Sequence, residues 1–485
     1  MHDLAVIGAG PAGIAAALAA AEQGIRVVVI DEQQRPGGQI FRRPPVEFGG
    51  RPAASPAGYP WAADLLAAAD AHPGIQWLSG ATAFGVFPET SGGRTTLSIG
   101  LVGPDGSKRI RARRLLIATG AYDLPVAFPG WTLPGVMMAG AVQGFAKSQR
   151  LLVAERLVLA GSHPLLLVVA EQLRAAGADI AEIAFARGLP GFGEAIRALP
   201  AVPGHVGLFA ETAASVARLL RAGVRISTRT IVTAAEGDGH VAAVRLASVD
   251  RQWRPTGESR AVPTDALVIG YGFQPSTELA RQLGCALRWD SAKGGWIVEH
   301  DEAMATSIAG VYVAGEPTGV AGAEQSRAEG RLAGLAIAAD LAAADGRADS
   351  GSMVSGLRDA RREIRRARRF SRVVETMFEP NRDALLALAT PATTVCRCEL
   401  VSRRTIETVL DKNPHLDTAS AVKLECRSGM GPCQGRYCET AVAAIVGARS
   451  GRSIDQVGHF SAHVPVKPVP LSAFSALGEE ESVQN

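Results

Sequence analysis

A chain of 485 residues is too long for one ordinary hydrophobic core and calls for two to four domains. It is 47% hydrophobic and 20% charged, and its 50 basic against 47 acidic residues leave a net charge of +3, which gives no basis for a nucleic-acid partner. The most apolar stretch, 151–170, is interrupted by Glu155, Arg156, Gly161, Ser162 and His163, so no transmembrane segment is expected; without a basic leader the chain reads as cytoplasmic.

An apolar strand from Leu4 runs straight into Gly8-Ala9-Gly10-Pro11-Ala12-Gly13, and an alanine-rich helix follows. Gly8 permits a tight turn, Gly10 lets backbone approach a pyrophosphate, and Gly13 lets helix and strand pack closely. The phosphates would sit at the helix N-terminus, where unbonded N–H groups and the helix dipole favour anions. A second apolar strand, 27–30, ends at Asp31 and Glu32, where a carboxylate reaches the adenosine ribose of a bound dinucleotide.

Four further stretches select FAD over NAD: Arg35-Pro-Gly-Gly38-Gln39-Ile, Leu115-Leu-Ile-Ala-Thr119-Gly120, Phe128-Pro-Gly-Trp131-Thr-Leu-Pro-Gly135, and Gly310-Val-Tyr-Val-Ala-Gly315-Glu316. Together they resemble the two-dinucleotide-domain flavoproteins that include thioredoxin reductase. That resemblance implies that Gly315 and Glu316 lie beside the ribityl chain and flavin, with Glu316 replacing the more usual Asp.

A second strand–turn–helix, Arg156-Leu-Val-Leu-Ala-Gly161-Ser-His163-Pro-Leu-Leu166, falls where these flavoproteins place an NAD(P)H fingerprint. His163 and Leu166 take the second and third glycine positions, and the next strand ends at Phe185-Ala186-Arg187 without a ribose carboxylate. A degenerate, scaffold-like domain is expected, empty or holding a smaller adenine nucleotide. Residues 1–284 contain no cysteine, so redox disulfide chemistry beside the flavin has no support.

Residues 357–378 are rich in arginine, with Phe370, Val373, Val374, Met377 and Phe378 at helical spacing. An amphipathic linker helix is expected, its basic face either solvated or docked on an acidic partner. Beyond it, Cys396 and Cys398 form a CxC pair, and Cys433 and Cys438 a second pair in a glycine-rich loop that opens a helix; Cys426 stands between them. Four thiolates suit a [2Fe–2S] cluster, and structural zinc is the alternative. The layout resembles the bacterioferritin-associated-ferredoxin-like domain, which implies Cys396, Cys398, Cys433 and Cys438 as metal ligands and leaves Cys426 out.

The expected fold class is α/β: two Rossmann-like dinucleotide-binding domains plus a small α-rich [2Fe–2S] domain. The segments are 1–150 with 285–345 for FAD, 151–284 for the degenerate second domain, 346–390 for the linker, 391–450 for the cluster and 451–485 as an extension. In order, GAGPAG, RPGGQI, FPGWTLPGV, a GxxPLL turn, AGEPTGVAGA, EGRLAG, CRCE and GMGPCQGRYC resemble the alpha subunits of heteromeric amine dehydrogenases, the opine oxidases or dehydrogenases and D-hydroxyproline dehydrogenase; the hydrogen cyanide synthase middle subunit is a relative. The resemblance implies FAD and [2Fe–2S] as cofactors. It also implies a partner beta subunit whose own flavin oxidises the amine, and a small ferredoxin-like subunit. No catalytic residue for amine oxidation is assignable in this chain, and a self-contained NAD(P)H-dependent reductase is the competing function.

Overall fold

The computed structural model describes residues 1–48, 59–91, 94–189, 191, 194, 205–347 and 351–474. Small parts of the expected FAD domain, second domain and linker, and the end of the extension, therefore lie outside the described residues. Two compact units emerge: Met1–Ala121 with Gln274–Glu375 and Ala462–Asn485, and Tyr122–Phe273 with Thr376–Ser461.

The first unit is built on a seven-stranded sheet. Ile75–Ser79, Val27–Asp31, His2–Ile7 and the end of Gly106–Ile117 lie parallel, and Val311–Val313 adds to the last of these. The start of Gly106–Ile117 continues antiparallel into Arg94–Gly103 and Thr82–Ser91. Strand alternation explains why both sheet faces are dry: Leu4 and Val6 enter one core cluster, Ala5 and Ile7 the other. The helix Pro11–Ala21 covers the first face, its proline at the opening turn where no amide hydrogen is required. The long helix Ala323–Ala344 lies directly on it, because a Cβ at Gly330 or Gly334 would collide with the carbonyl oxygens of Ala12 and Ala16. The arginine-rich helix spans Gly351–Phe378 and buries Ala360 and Ile364 in the same core.

The second unit has a wholly parallel five-stranded sheet in the order Arg225–Thr228, Asp179–Phe185, Arg156–Gly161, Ala266–Gly270, Val136–Met138. The last strand shifts the expected boundary at residue 150. Leu267 to Ile269 pair with Val136 to Met138, so residues 122–150 fold with this sheet. Phe128 and Trp131, from the stretch read as a flavin signal, are fully buried in this unit's core.

The same unit carries the cysteine module. A short ribbon, Thr394–Cys396 against Val401–Ser402, is enclosed by the helices Arg403–Lys412, Ala419–Cys426 and Glu439–Ser450. Trp131 Nε1 donates to Thr394 O at 2.6 Å and ties the module to the sheet's core. The expected extension is divided. Val457 and Phe460 complete the module, whereas Val466 packs in the first unit, its N–H donating to Phe84 O.

Candidate cofactor sites

In the first unit the expected residues converge at the ends of the parallel strands. Gly8 turns the chain at φ +108, and a Cβ there or at Gly13 would strike backbone oxygen, of Ala118 and of Gly8 respectively. Gly10 differs: a Cβ on it would meet nothing nearer than Gly38 Cα at 4.0 Å. Gly38 in turn lies so close that its own Cβ would come within 2.7 Å of Gly10 Cα, and Gly37 N donates to Ala9 O at 2.8 Å. The helix beginning Pro11-Ala12-Gly13 has neither a side-chain cap nor an acidic residue in its first turn. Unsatisfied N–H groups beside open glycine backbone are the clearance and donor set that a dinucleotide pyrophosphate fits.

Asp31 accepts from Ala9 N at 2.6 Å and Gln33 N at 2.7 Å. Burial pushes its carboxyl up, and those two N–H groups pull it back in part. Its neighbour Glu32 pairs instead with Lys467. Gln39 Nε2 donates to Ala121 O at 3.1 Å, Thr119 Oγ1 to Ser276 O at 2.7 Å, and Gly120 O accepts from Ser276 N at 2.9 Å.

Gly315, at φ +78, would carry a Cβ 2.8 Å from that of Ala12, which brings the second glycine loop onto the first. A residue not anticipated from sequence holds this loop. Glu329, 1% exposed, accepts from Gly315 N at 3.1 Å, Thr318 Oγ1 at 2.9 Å and Gln325 Nε2 at 2.8 Å. Gln325 Oε1 is buried without a partner in the same place, an orphaned acceptor where a ligand's N–H would be satisfied. The Glu316 carboxyl is pushed up to about 7, chiefly by burial; the Gly322 N–H lowers it and the Glu329 charge raises it.

In the cysteine module the thiols stand as two interacting pairs, Cys396 with Cys438 and Cys398 with Cys433. Cys396 and Cys438 are buried, Cys398 is exposed and Cys433 lies between these extremes. Cys396 is pulled down to about 6 by the hydrogen bond with Cys438, aided by N–H groups of Gly429, Glu399 and Cys398 and opposed by burial. Gly429 N lies 3.4 Å from its sulfur. Among the described residues no three His, Cys, Asp or Glu side chains converge as a single-ion site requires. Two thiol pairs in a nest of backbone donors fit a two-iron cluster, which takes two cysteines per iron.

The glycines of this loop have distinct physical causes. A Cβ at Gly431 would collide with Cys398 Cβ, and one at Gly429 or Gly435 would enter the ring of Phe460. Cys426 spends its thiol locally, on Val422 O at 3.1 Å and Ser428 Oγ at 3.2 Å. Arg436, between Cys433 and Cys438 in the chain, donates from Nε to Tyr122 Oη at 3.0 Å and from Nη1 to Cys433 O at 3.1 Å.

The turn after Arg156–Gly161 has the opposite character. His163 Nδ1 accepts from Leu165 N at 3.2 Å, and its ring packs edge-on against Phe273 with centroids 5.0 Å apart. Burial pushes its pKa down to about 4. Leu166 is wholly buried, its methyl groups against Gly161 and Gly270. Arg187, past the next strand, lies over the Phe378 ring at 5.2 Å and pairs with Glu194 at 3.0 Å.

Comparison with known proteins gives the family. Residues 2–331 match the pyridine nucleotide-disulphide oxidoreductase family, and residues 394–448 the BFD-like [2Fe-2S] binding domain. The chain is 34% identical to the opine oxidase A-subunit of Agrobacterium tumefaciens over 479 residues, 98% of this chain and 92% of that one. It is 32% identical to hydrogen cyanide synthase subunit HcnB of Pseudomonas aeruginosa over 488 residues, 98% of each. The crystal structure of L-proline dehydrogenase from P. horikoshii shares the fold, with a TM-score of 0.67 at 20% identity over 97% of this chain and 79% of that one. The chain thus belongs to the pyridine nucleotide-disulphide oxidoreductase family, among the relatives of the opine oxidase A-subunit, as an FAD flavoprotein with a [2Fe–2S] domain.

Proposed function

We propose that this chain is the electron-transfer subunit of a heteromeric, cytoplasmic dehydrogenase or oxidase. The complex would act on the C–N bond of an opine or hydroxyproline-type amino or imino acid. Oxidation of the amine takes place in a partner subunit with its own flavin, and a small ferredoxin-like subunit completes the assembly. The observation that carries this reading is the closed second turn: His163 and Leu166 fill the positions where a nicotinamide nucleotide's pyrophosphate needs bare backbone. Electrons therefore enter from a partner rather than from NAD(P)H. Support also comes from the names of the relatives, which are subunits of opine oxidase and of hydrogen cyanide synthase.

In this reading Gly8, Gly10, Pro11, Ala12 and Gly13 hold the FAD pyrophosphate. Asp31, with Glu32 behind it, orients the ribose. Gly38, Gln39, Thr119, Gly120, Gly315 and Glu316 line the flavin end, with Glu329 as a positioning residue behind Gly315. Cys396, Cys398, Cys433 and Cys438 hold the cluster. Bound FAD converts between two-electron and one-electron transfer, and the cluster carries single electrons. The protein's own part is to keep phosphate charge at a helix N-terminus, to seat the flavin end on a rigid loop and to surround the sulfurs with N–H donors.

Anaerobic stopped-flow mixing of the isolated chain with NADPH tests the proposal. The flavin should stay oxidised, and it should be reduced only when the partner subunit is added together with its amine substrate. Full reduction by NADPH at a catalytically useful rate would make the chain a self-contained reductase instead.

A further inference from the structure

One feature lies outside both cofactor sites. Seven arginines of the helix Gly351–Phe378 are exposed: Arg358, Arg361, Arg362, Arg365, Arg366, Arg369 and Arg372. Their separations of three and four residues put them on one face, a stripe about 21 Å long at 1.5 Å per residue. The opposite face is buried through Ala360, Ile364, Ala367 and Ser371, so the stripe cannot rotate inward.

We propose that this stripe is the docking surface for an acidic face of a partner subunit. The proposal rests on the electron-transfer reading only in taking the occupant to belong to the same complex.

The helix's own acids do little to balance the stripe. Asp359 Oδ1 lies 3.5 Å from Arg362, and Glu375 is within electrostatic reach of Arg372. Glu363 is turned to Arg331 at 2.9 Å, away from the stripe. Like charges one turn apart destabilise a helix, so a run of them is a standing cost that an anionic occupant would remove. The helix contains no lysine, and guanidinium groups grip carboxylates through paired hydrogen bonds that ammonium groups cannot match. The charge of the remaining chain decides the class of occupant. Without these seven residues, 43 basic groups would face 47 acidic ones, a net −4. Outside the stripe the chain has no net basic excess with which to hold an extended polyanion such as nucleic acid or an anionic membrane. A compact protein with a local acidic patch meets the stripe alone.

The test compares the full-length holoprotein with the variant Arg361→Gln/Arg365→Gln/Arg369→Gln, whose exposed positions leave folding, FAD content and the reduced-cluster signal intact. Fluorescent oligoglutamate, a short DNA duplex and phosphatidylserine vesicles serve as probes. Oligoglutamate should bind the native chain, weaken as salt rises, and lose at least about tenfold in affinity on the variant. Equal binding to both proteins, or tighter stripe-dependent binding of DNA or vesicles, overturns the proposal. With substrate and the partner subunit present, the variant should need at least about tenfold more partner for half-maximal dye reduction, with an unchanged rate at saturation. An unshifted partner requirement ends the docking proposal and leaves the electron-transfer reading standing. Failure of the partner to reduce even the native chain ends the electron-transfer reading, and the oligoglutamate result still judges the stripe.

Discussion

The two glycine turns of this chain share a plan, a parallel strand entering a tight turn and a helix, yet they differ in which clearances survive. At the first turn, Cβ atoms on Gly8 or Gly13 would strike the protein's own backbone, whereas one on Gly10 would face open space. At the second, Gly161 is still required, since a Cβ there would collide with Gly270 O. The open position, however, is filled by His163, and Leu166 replaces the third glycine. At these turns, the glycines whose Cβ would meet backbone serve the fold, and Gly10, whose Cβ would meet only Gly38 Cα at 4.0 Å, leaves room for a ligand. The second turn has kept the first kind and lost the second.

The comparison breaks most visibly at Gly10. Gly10→Val should leave a folded protein, by circular dichroism, that has lost most of its FAD, read as visible flavin absorbance per chain. Gly13→Val should instead fail to fold, because its side chain meets the Gly8 carbonyl. Stoichiometric FAD in the Gly10 variant would place the nucleotide elsewhere.

The cysteine module gives an equally large effect on a different signal. Changing Cys396, Cys398, Cys433 or Cys438 to Ser should abolish the paramagnetic resonance of the reduced cluster. Cys426→Ser should retain it, since that thiol bonds only within its own neighbourhood. Loss of the signal in Cys426→Ser would add it to the ligand set.

A smaller effect sharpens the picture of the closed turn. His163 has its pKa lowered by burial from 6.5 to about 4. Above pH 6.5 both folded and unfolded chains hold it neutral. As pH falls toward 4 the unfolded chain takes up the proton first, so stability is lost across that window, by roughly 3 kcal/mol in full. His163→Leu should remove that part of the acid sensitivity, measured as the difference in denaturation free energy between pH 7 and 4.5. An identical pH profile would show that the imidazole is hydrated rather than enclosed.

The smallest effect concerns the loop behind the flavin end. Glu329→Gln keeps the shape but replaces one acceptor oxygen with a donor facing Gly315, Thr318 or Gln325. A loss of about 1–3 kcal/mol is expected, seen as weaker FAD retention on dilution with the cluster signal unchanged. Undiminished retention would show that the loop is set without this carboxylate.

The glycine fingerprints, the two cysteine motifs and the amphipathic arginine helix were legible because each is a local pattern, whereas the pairing of Cys396 with Cys438 and of Cys398 with Cys433 joins one motif to the other and was not. What was not legible depends on residues far apart in the chain. Glu329 lies within the EGRLAG run, but its role exists only once Ala323–Ala344 folds back over Gly315. The partition of residues 122–150 follows from a strand that pairs with Ala266–Gly270, long after it in sequence. Trp131, within a stretch that marks the flavoprotein family, also ties a core to the cysteine module through Thr394, a contact no local pattern shows.

Phe460 follows the last cysteine at a distance and lies beyond the 394–448 match, yet its ring occupies the space that Gly429 and Gly435 leave open. A fragment trimmed to that segment would retain all five thiols of the module but expose the loop on which they are mounted. Without the ring that Gly429 and Gly435 pack against, such a fragment should hold a [2Fe–2S] cluster less firmly than the whole chain. The working end of this module, for anyone who excises it, is therefore Ser461, set by an aromatic ring rather than by a cysteine.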